Sequence, residues 1–254
     1  MFPEILIAVF VAALILEFFD ASIGMGFGEI TALLLLLGFA PLEAVPAVIL
    51  ASAILSLFAA ILHHGYKNVD FDFEKENIKI TLTFVAFGII GILLAVLIAF
   101  NISELFLKAY IGLVILAVGI GVLSKSKRKI AFSWNKLFGL GSVAALNKGL
   151  TGGGYGPVIS AGQILAGIKS KKSVGITSLS ESIVSFTGFF AYAYFEGLAN
   201  INWSLISALL IGGVISTPIA VYFVKKSHPE KLKKIIGLVS VVLGLTMLLS
   251  LFNI

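Results

Sequence analysis

The chain has 254 residues, of which 59% are hydrophobic and only 12% are charged, and its mean hydropathy is +1.10. A soluble domain carries about 25% charged residues, and no soluble fold of this length could bury so much apolar surface. The formal net charge of +5 is spread over loops, so it does not indicate nucleic-acid binding. Without cysteine, the chain has no disulfide framework and no thiolate metal site. The composition therefore predicts an integral membrane protein.

Taken in chain order, the apolar stretches form two sets with the same order of elements. A helix needs about 20 apolar residues to cross a hydrocarbon core of ~30 Å. Each half of the chain has one interrupted apolar stretch followed by three uninterrupted ones of about that length. The interrupted stretches are 5–39 and 134–168, and the predicted spans are 42–63, 77–100, 104–124, 171–195, 203–224 and 230–252.

Glycine-rich segments interrupt the two broken stretches, SIGMGFGEI at 22–30 and NKGLTGGGYGP at 147–157. Glycine weakens a helix and frees the backbone for other conformations. The apolar pieces on either side are expected to hold about 11 to 15 residues, or ~17–22 Å at ~1.5 Å per residue, too short to cross alone. Each stretch is therefore predicted to form a hairpin of two half-helices whose tip lies inside the membrane.

An internal repeat is indicated by a shift of 128 residues without gaps. It superimposes Gly24, Gly26 and Gly28 on Gly152, Gly154 and Gly156, Phe27 on Tyr155, and Ser52 on Ser180. Inverted repeats with discontinuous helices near the midplane recur among transporters. We predict an all-α integral membrane protein of two inverted repeats, 1–126 and 127–254, each a broken-helix hairpin followed by three transmembrane helices.

The basic residues predict the orientation in the membrane. If both hairpins enter and leave on the same side, one face collects the segments 64–79, 125–136, 169–172 and 225–234. That face holds all of the 18 basic residues except Lys108 and Lys148, and the positive-inside rule makes it cytoplasmic. A single crossing by each interrupted stretch would instead place two of these segments outside. We therefore predict a multi-pass protein of the cell membrane with both termini outside.

The glycine-rich tips are candidate anion sites. Free backbone N–H groups at the start of a helix attract anions, and in lipid such backbone survives only where it lines a cavity or is packed in protein. Close helix packing is the alternative reading of the same glycines. The candidate substrate-binding residues are Gly24, Gly26, Gly28, Asn147, Lys148, Thr151, Gly152, Gly153 and Gly154, with Ser52, Thr177 and Ser178 on the following spans.

Charged residues at membrane depth are costly and indicate a function with a partner. Lys148, beside the second tip, is predicted to meet an anionic substrate. The shift places Asp20 at the equivalent position of the first half, and a structural ion pair between these two residues is the alternative. Glu181 lies near the middle of its span and is expected, with Asp20, to couple transport to a proton or another ion; an interhelical hydrogen bond is its alternative role. Glu29 is read only as an acidic residue that complements a helix dipole.

The motifs GMGFG at 24–28, TGGGYGP at 151–157 and TSLSES at 177–182 resemble those of the TauE/SafE group of sulfite exporters and organosulfonate permeases. The resemblance covers nearly the whole chain, as two copies of a glycine-rich hairpin plus helices. It implies transport of anions such as sulfite, sulfoacetate or taurine-like sulfonates. The first copy departs from the pattern, with Met25 inside the glycine cluster and Glu29 where the second copy has Pro157.

These observations together predict a secondary transporter of small sulfur-containing anions, with its site between the two tips. No GxxxxGK[ST] motif for ATP occurs. A cation or metal-ion transporter that uses Asp20, Glu29 and Glu181 is the alternative. An enzyme is not expected, because the chain lacks cysteine and its histidines lie at predicted cytoplasmic ends. We expect no cofactor and no resident metal; the expected partners are the anion, the lipid bilayer and a coupling proton or other ion, and a homo-oligomer is left open.

Overall fold

The computed structural model describes residues 3–72, 75–124, 134–165, 168–224 and 229–252. Within these ranges all regular secondary structure is helical, which confirms the predicted all-α class. The helices are α1 (Pro3–Ile23), α2 (Glu29–Leu36), α3 (Pro41–Gly65), α4 (Lys75–Ala99), α5 (Glu104–Leu123), α6 (Trp134–Thr151), α7 (Tyr155–Leu165), α8 (Ser170–Glu196), α9 (Trp203–Phe223) and α10 (Pro229–Ser250), with a 3₁₀ turn at Leu198–Asn200. The predicted repeat boundary at 126 and the basic segments 125–133 and 225–228 lie outside the described residues.

Both helix breaks lie where the glycine clusters predict them. The first separates α1 from α2, and the second separates α6 from α7. The six uninterrupted spans correspond to α3, α4, α5, α8, α9 and α10, with ends that differ from the prediction by a residue or two. The inverted relation of the two halves and their orientation in the membrane stay predictions.

The expected length of the pieces flanking each break is wrong for the two leading helices. α1 has 21 residues and α6 has 18 residues, or ~31 and ~27 Å at ~1.5 Å per residue. Only α2, with 8 residues, and α7, with 11 residues, are as short as expected. α1 is longer because it begins at Pro3 and continues through Glu17 and Asp20. Glu17 can remain at a buried position of this helix because Thr217 of α9 donates a hydrogen bond to its carboxylate over 2.9 Å.

Seven of the described helices are long and apolar enough to cross a membrane: α1, α3, α4, α5, α8, α9 and α10. α3 and α8 form the centre of the bundle, since 72% and 67% of their most apolar windows are buried, against 28% for α10. Large apolar side chains such as Ile7, Phe106 and Leu249 stand exposed on the outer helices. In a bilayer these side chains face lipid, so their exposure carries no penalty.

Helix packing joins the two halves of the chain at every major contact. α3 packs on α8 and α5 on α10, while α1 packs on α9 and α4 on α6. The 128-residue shift exchanges α1 with α6 and α4 with α9, so it converts the α1–α9 contact into the α4–α6 contact. This regularity is what a two-fold relation between the halves would produce.

His63, near the end of α3, connects three helices. Its Nε2 lies 2.9 Å from the Ala21 carbonyl oxygen, near the end of α1, and its Nδ1 lies 3.1 Å from Nδ2 of Asn68. Because an amide Nδ2 can only donate, Nδ1 accepts and Nε2 carries the proton that Ala21 accepts. Asn68 also donates to the Val221 carbonyl of α9 over 3.5 Å. His63 therefore satisfies a carbonyl that α1 would leave unpaired at its end.

We predict that Gly119 and Gly121 of α5 respond in opposite ways to substitution by alanine. A Cβ at Gly119 would lie 2.7 Å from the backbone nitrogen of Val241 in α10, whereas a Cβ at Gly121 would meet nothing within 4 Å. Both changes raise helix propensity equally, so only packing separates them. Gly119→Ala should lower the free energy of unfolding by about 1–3 kcal/mol, and Gly121→Ala should not lower it. Thermal unfolding in detergent measures the difference, and equal midpoints for the two variants would contradict the close α5–α10 contact.

Candidate substrate site

A buried ion pair lies at the centre of the bundle, between α6 and α8. Lys148 Nζ is 2.7 Å from Glu181 Oε1 and donates to the Ser52 hydroxyl of α3 over 2.7 Å. The Ser52 hydroxyl is in turn 3.3 Å from Glu181 Oε1. Lys148 is 1% exposed and Glu181 5% exposed. The structure thus brings together three predicted site residues from α3, α6 and α8.

Asp20 is not the ion-pair partner of Lys148, so the alternative of a structural Asp20–Lys148 pair is wrong. Its carboxylate instead accepts a hydrogen bond from the Phe27 amide over 3.5 Å, and its carbonyl accepts one from the Gly24 amide over 2.7 Å. Asp20 therefore holds the first tip in place. It remains close enough to Lys148 and Glu181 to interact with both charges.

The two tips meet backbone to backbone. A Cβ at Gly153 would lie 2.6 Å from the Gly28 Cα, and a Cβ at Gly28 would collide with the Gly153 backbone. A Cβ at Gly156 would collide with the Gly24 carbonyl oxygen. A side chain at Gly153 would therefore strike the opposite tip rather than an open cavity. Close packing, the alternative reading of these glycines, describes Gly28, Gly153 and Gly156.

Other tip glycines are required for their backbone conformation. Gly24, Gly152 and Gly154 have φ values of +76°, +73° and +79°, and Gly26 has +146°. These values fall in the left-handed region, which residues with a Cβ rarely adopt. The backbone can leave the helical conformation at each break because these positions are glycine.

Several tip amides are already hydrogen bonded within the protein. Thr151 Oγ1 accepts from the Gly153 amide over 3.0 Å and donates to the Asn147 carbonyl over 2.8 Å. The Gly152 amide donates to the Lys148 carbonyl over 2.8 Å. Asn147 itself accepts a hydrogen bond from the Tyr110 hydroxyl of α5. The second tip is thus closed by its own hydrogen bonds and fastened to α5.

Thr177 belongs to a buried polar cluster that also includes α7. Its hydroxyl is 3.0 Å from Ser160 Oγ and accepts from Gln163 Nε2 over 3.0 Å. Gly24 of the first tip packs on Ser160. The Ser178 hydroxyl points elsewhere, donating to the Val174 carbonyl of its own helix over 3.0 Å. Of these two predicted residues, Thr177 faces the first tip and Ser178 makes only a bond within α8.

Two buried carboxylates near the site have partners that the sequence reading missed. Ser240 of α10 donates to Glu29 over 2.7 Å, so Glu29 ties α2 to α10 and does more than complement a helix dipole. Glu17, hydrogen bonded to Thr217, is 2% exposed and was not predicted as a site residue. A carboxylate this deep in an apolar span is a signal that could have identified it. Both residues interact electrostatically with Lys148 and Glu181.

Some buried side-chain polar atoms of the described residues have no hydrogen-bond partner. They include the hydroxyls of Thr31 and Ser185 and the Oε1 of Gln163. Thr31 packs on Gly152 of the second tip, and Ser185 follows Glu181 by one helical turn. Neither Thr31 nor Gln163 was a sequence candidate, because isolated polar residues on short apolar helices carry little signal. Unpartnered polar atoms in an apolar interior are costly, so they are atoms with which a bound polar ligand could pair.

Membrane-length helices packed around a buried ion pair and two interrupted helices define a polytopic membrane protein of the transporter class. The chain belongs to the family described as "Sulfite exporter TauE/SafE", whose model matches residues 9–247. It is 28% identical over 235 residues to the "Probable membrane transporter protein YtnM" of Bacillus subtilis (strain 168), an alignment that covers 88% of this chain and 76% of that protein. No solved structure matches the chain significantly. The family and this relative support a function in membrane transport.

We predict that removing one member of the ion pair destabilises the protein and that removing both restores stability. A single buried charge left without its partner costs about 3–5 kcal/mol, whereas replacing a whole pair can be neutral. Lys148→Met and Glu181→Gln should each lower the unfolding midpoint in detergent, and the double variant should recover most of the loss. Asp20→Asn is the matched control and should not rescue Lys148→Met. Rescue by Asp20→Asn but not by Glu181→Gln would contradict the pairing described above.

Proposed function

We propose that the protein is a secondary transporter of small sulfur-containing anions, such as sulfite or organosulfonates, and that it binds them at Lys148. The family's description supports the sulfur oxyanion as substrate. Lys148 supports an anionic substrate, since it is the only buried lysine among the residues whose burial is described. A tetrahedral or pyramidal oxyanion offers several acceptor oxygens to one ammonium group and nearby hydroxyls. The Ser52 hydroxyl contacts Lys148, and the unpartnered hydroxyl of Thr31 lies beside Gly152 of the second tip.

The Lys148–Glu181 pair suggests how such an anion would be coupled to protons. While Glu181 is ionised, its carboxylate occupies the ammonium group that the anion requires. A proton on Glu181 neutralises the carboxylate and leaves the charge of Lys148 uncompensated at a buried position, where a charge demands a partner. An arriving anion would supply that partner. Proton and anion would therefore bind together, and release of the proton would return Lys148 to Glu181 and expel the anion.

The neighbouring carboxylates favour the same coupling. With Glu17, Asp20 and Glu29 ionised, the field around Lys148 would be strongly negative and would repel an anion. Protons on these groups remove that barrier. The hydrogen bonds to Thr217 and Ser240 position Glu17 and Glu29 in the bundle in either protonation state, because a hydroxyl can donate to a carboxyl oxygen whether or not the group carries a proton.

The same excess of carboxylates favours a second candidate, a cation transporter. Glu17, Asp20, Glu29 and Glu181 outnumber Lys148, and Lys148 is neutralised by Glu181 at rest. Among the described residues, however, no three His, Asp or Glu side chains converge closely enough to hold a metal ion. A monovalent cation bound through few ligands remains the form of this alternative that the geometry allows.

Uptake into proteoliposomes distinguishes the two functions. We expect an inward proton gradient to drive accumulation of labelled sulfite or a small sulfonate, with little accumulation of sodium, potassium or divalent metals. Lys148→Met should reduce anion uptake by at least about 100-fold per folded protein, because loss of a buried charge-assisted contact is worth ~3 kcal/mol or more. Cation uptake that survives Lys148→Met, with no anion uptake by the unmodified protein, would establish the alternative.

Replacing Glu181 by glutamine tests the coupling separately from binding. Glutamine resembles the protonated acid, so Lys148 should stay available to the anion while the proton step is lost. Glu181→Gln should abolish accumulation driven by a proton gradient but retain exchange of labelled for unlabelled anion. Glu104→Gln, which removes an exposed carboxylate paired with Lys108, serves as the control and should retain both activities. Gradient-driven accumulation by Glu181→Gln would exclude Glu181 as the coupling group.

A further inference from the structure

A cavity of about 130 Å³ opens at the end of the bundle where α1, α7 and α9 end and α8 begins. Its lining includes Ser22, Ser170, Lys171, Val174 and Lys233. A water molecule occupies ~30 Å³ in the liquid, so this volume accommodates a ligand of a few heavy atoms, such as a sulfur oxyanion. The lining lysines belong to the basic segments that the sequence assigns to the cytoplasmic face.

The charged side chains that line this cavity are basic. Two lysines line it, and none of its described lining residues is acidic. Two carbonyl groups near the adjoining helix ends are hydrogen bonded. Ser22 donates to the Phe19 carbonyl over 3.2 Å, and the Ile168 amide donates to the Gln163 carbonyl over 3.0 Å. Lys171 and Lys233 therefore make the described lining of this cavity basic, which favours a small anion over a cation.

A stripe of α8 connects this cavity to the ion pair. Lys171, Val174, Thr177 and Glu181 follow one another at spacings of three and four residues, which places them along one face of the helix. The distance from Lys171 to Glu181 along the axis is ~15 Å. Val174 lines the cavity and also packs near Gly24 of the first tip, 3.7 Å from the position of a Cβ there.

The intervening side chains are polar and only partly satisfied. Thr177 shares its hydroxyl with Ser160 and Gln163, and the Oε1 of Gln163 has no hydrogen-bond partner. These groups lie beside the first tip, between the level of Val174 and that of Glu181 on α8. An ion that leaves the cavity for Lys148 would thus pass polar atoms rather than a continuous apolar wall.

We propose that this cavity is a peripheral anion-binding vestibule of the transport path, with Lys171 and Lys233 as the residues that attract the substrate from one side of the membrane. The inference rests on the proposed function, because it assumes that an anion travels to Lys148. The vestibule would bind the small sulfur oxyanion transiently and raise its local concentration at the first tip. It would serve one face of the membrane only.

The test measures sulfite uptake into inside-out and right-side-out membrane vesicles from cells that make the full chain. The double variant Lys171→Gln/Lys233→Gln removes both vestibule charges, and Lys67→Gln/Lys75→Gln removes two exposed charges from the same predicted face but outside the cavity. The vestibule variant should raise KM roughly threefold to tenfold in one vesicle orientation, with kcat unchanged and a weaker dependence on salt. The control should leave KM within about twofold of the unmodified protein.

The outcomes separate the vestibule from the transport function. Equal changes in KM for the two double variants, or no change for either, would show that the lysines act only through general surface charge and would overturn the vestibule. An effect of the vestibule variant in both vesicle orientations would overturn it as well. Failure of the unmodified protein to take up sulfite or sulfonate in either orientation would instead refute the proposed function, and the vestibule with it.

Discussion

The structure depends on Lys148, a charged residue that needs polar partners because it is buried in the apolar interior of the bundle. Lys148 meets that need with one carboxylate and one hydroxyl, and those two groups come from α8 and α3. A single ammonium group thereby fixes the relative positions of three helices drawn from both halves of the chain. Because the pair is buried, separating its two members would leave each charge without its partner in an apolar interior. Under the proposed function, the interaction that positions the central helices is also the one that binding of an anion to Lys148 would break.

The contact between the two tips joins the interrupted helices of both halves of the chain. Gly28 and Gly153 touch without any intervening side chain, so a side chain at either position would push the tips apart. The hydrogen bonds that close the second tip run within the tip itself, through Thr151. The side chains beside these glycines are packed in the apolar core, since Met25 and Phe27 of the first tip and Tyr155, at the start of α7, are buried. The tips are therefore held by close packing and by their own hydrogen bonds, next to the Lys148–Glu181 pair.

The sequence predicted the helices and both breaks because apolar length and glycine clusters are local signals. It also identified Ser52, Lys148 and Glu181, since a polar residue within an apolar span is conspicuous wherever it lies. Which of these polar residues contact one another was harder to predict from the sequence. Asp20 occupies the repeat-equivalent position of Lys148, yet the ion pair forms with Glu181, because helix rotation and tilt decide which charges meet. The same limit applies to Glu29 and Ser240, which are 211 residues apart. It applies also to the lengths of α1 and α6, because both helices contain charged residues, Glu17 and Lys148, whose partners lie on other helices.

The packing of first-half helices on second-half helices has a consequence for biosynthesis. α1 packs on α9, and the hydrogen bond between Glu17 and Thr217 joins residues 200 positions apart. A chain that enters the membrane from its N-terminus would insert α1 long before α9 exists. During that interval Glu17 has no Thr217 to donate to it, and a carboxylate in lipid without a partner is costly. The first helix must therefore wait in a neutral form or near the polar surface of the bilayer, and no early group of helices can complete its own core. Because every major helix contact joins the two halves of the chain, neither half has its native packing partners until the other has been made.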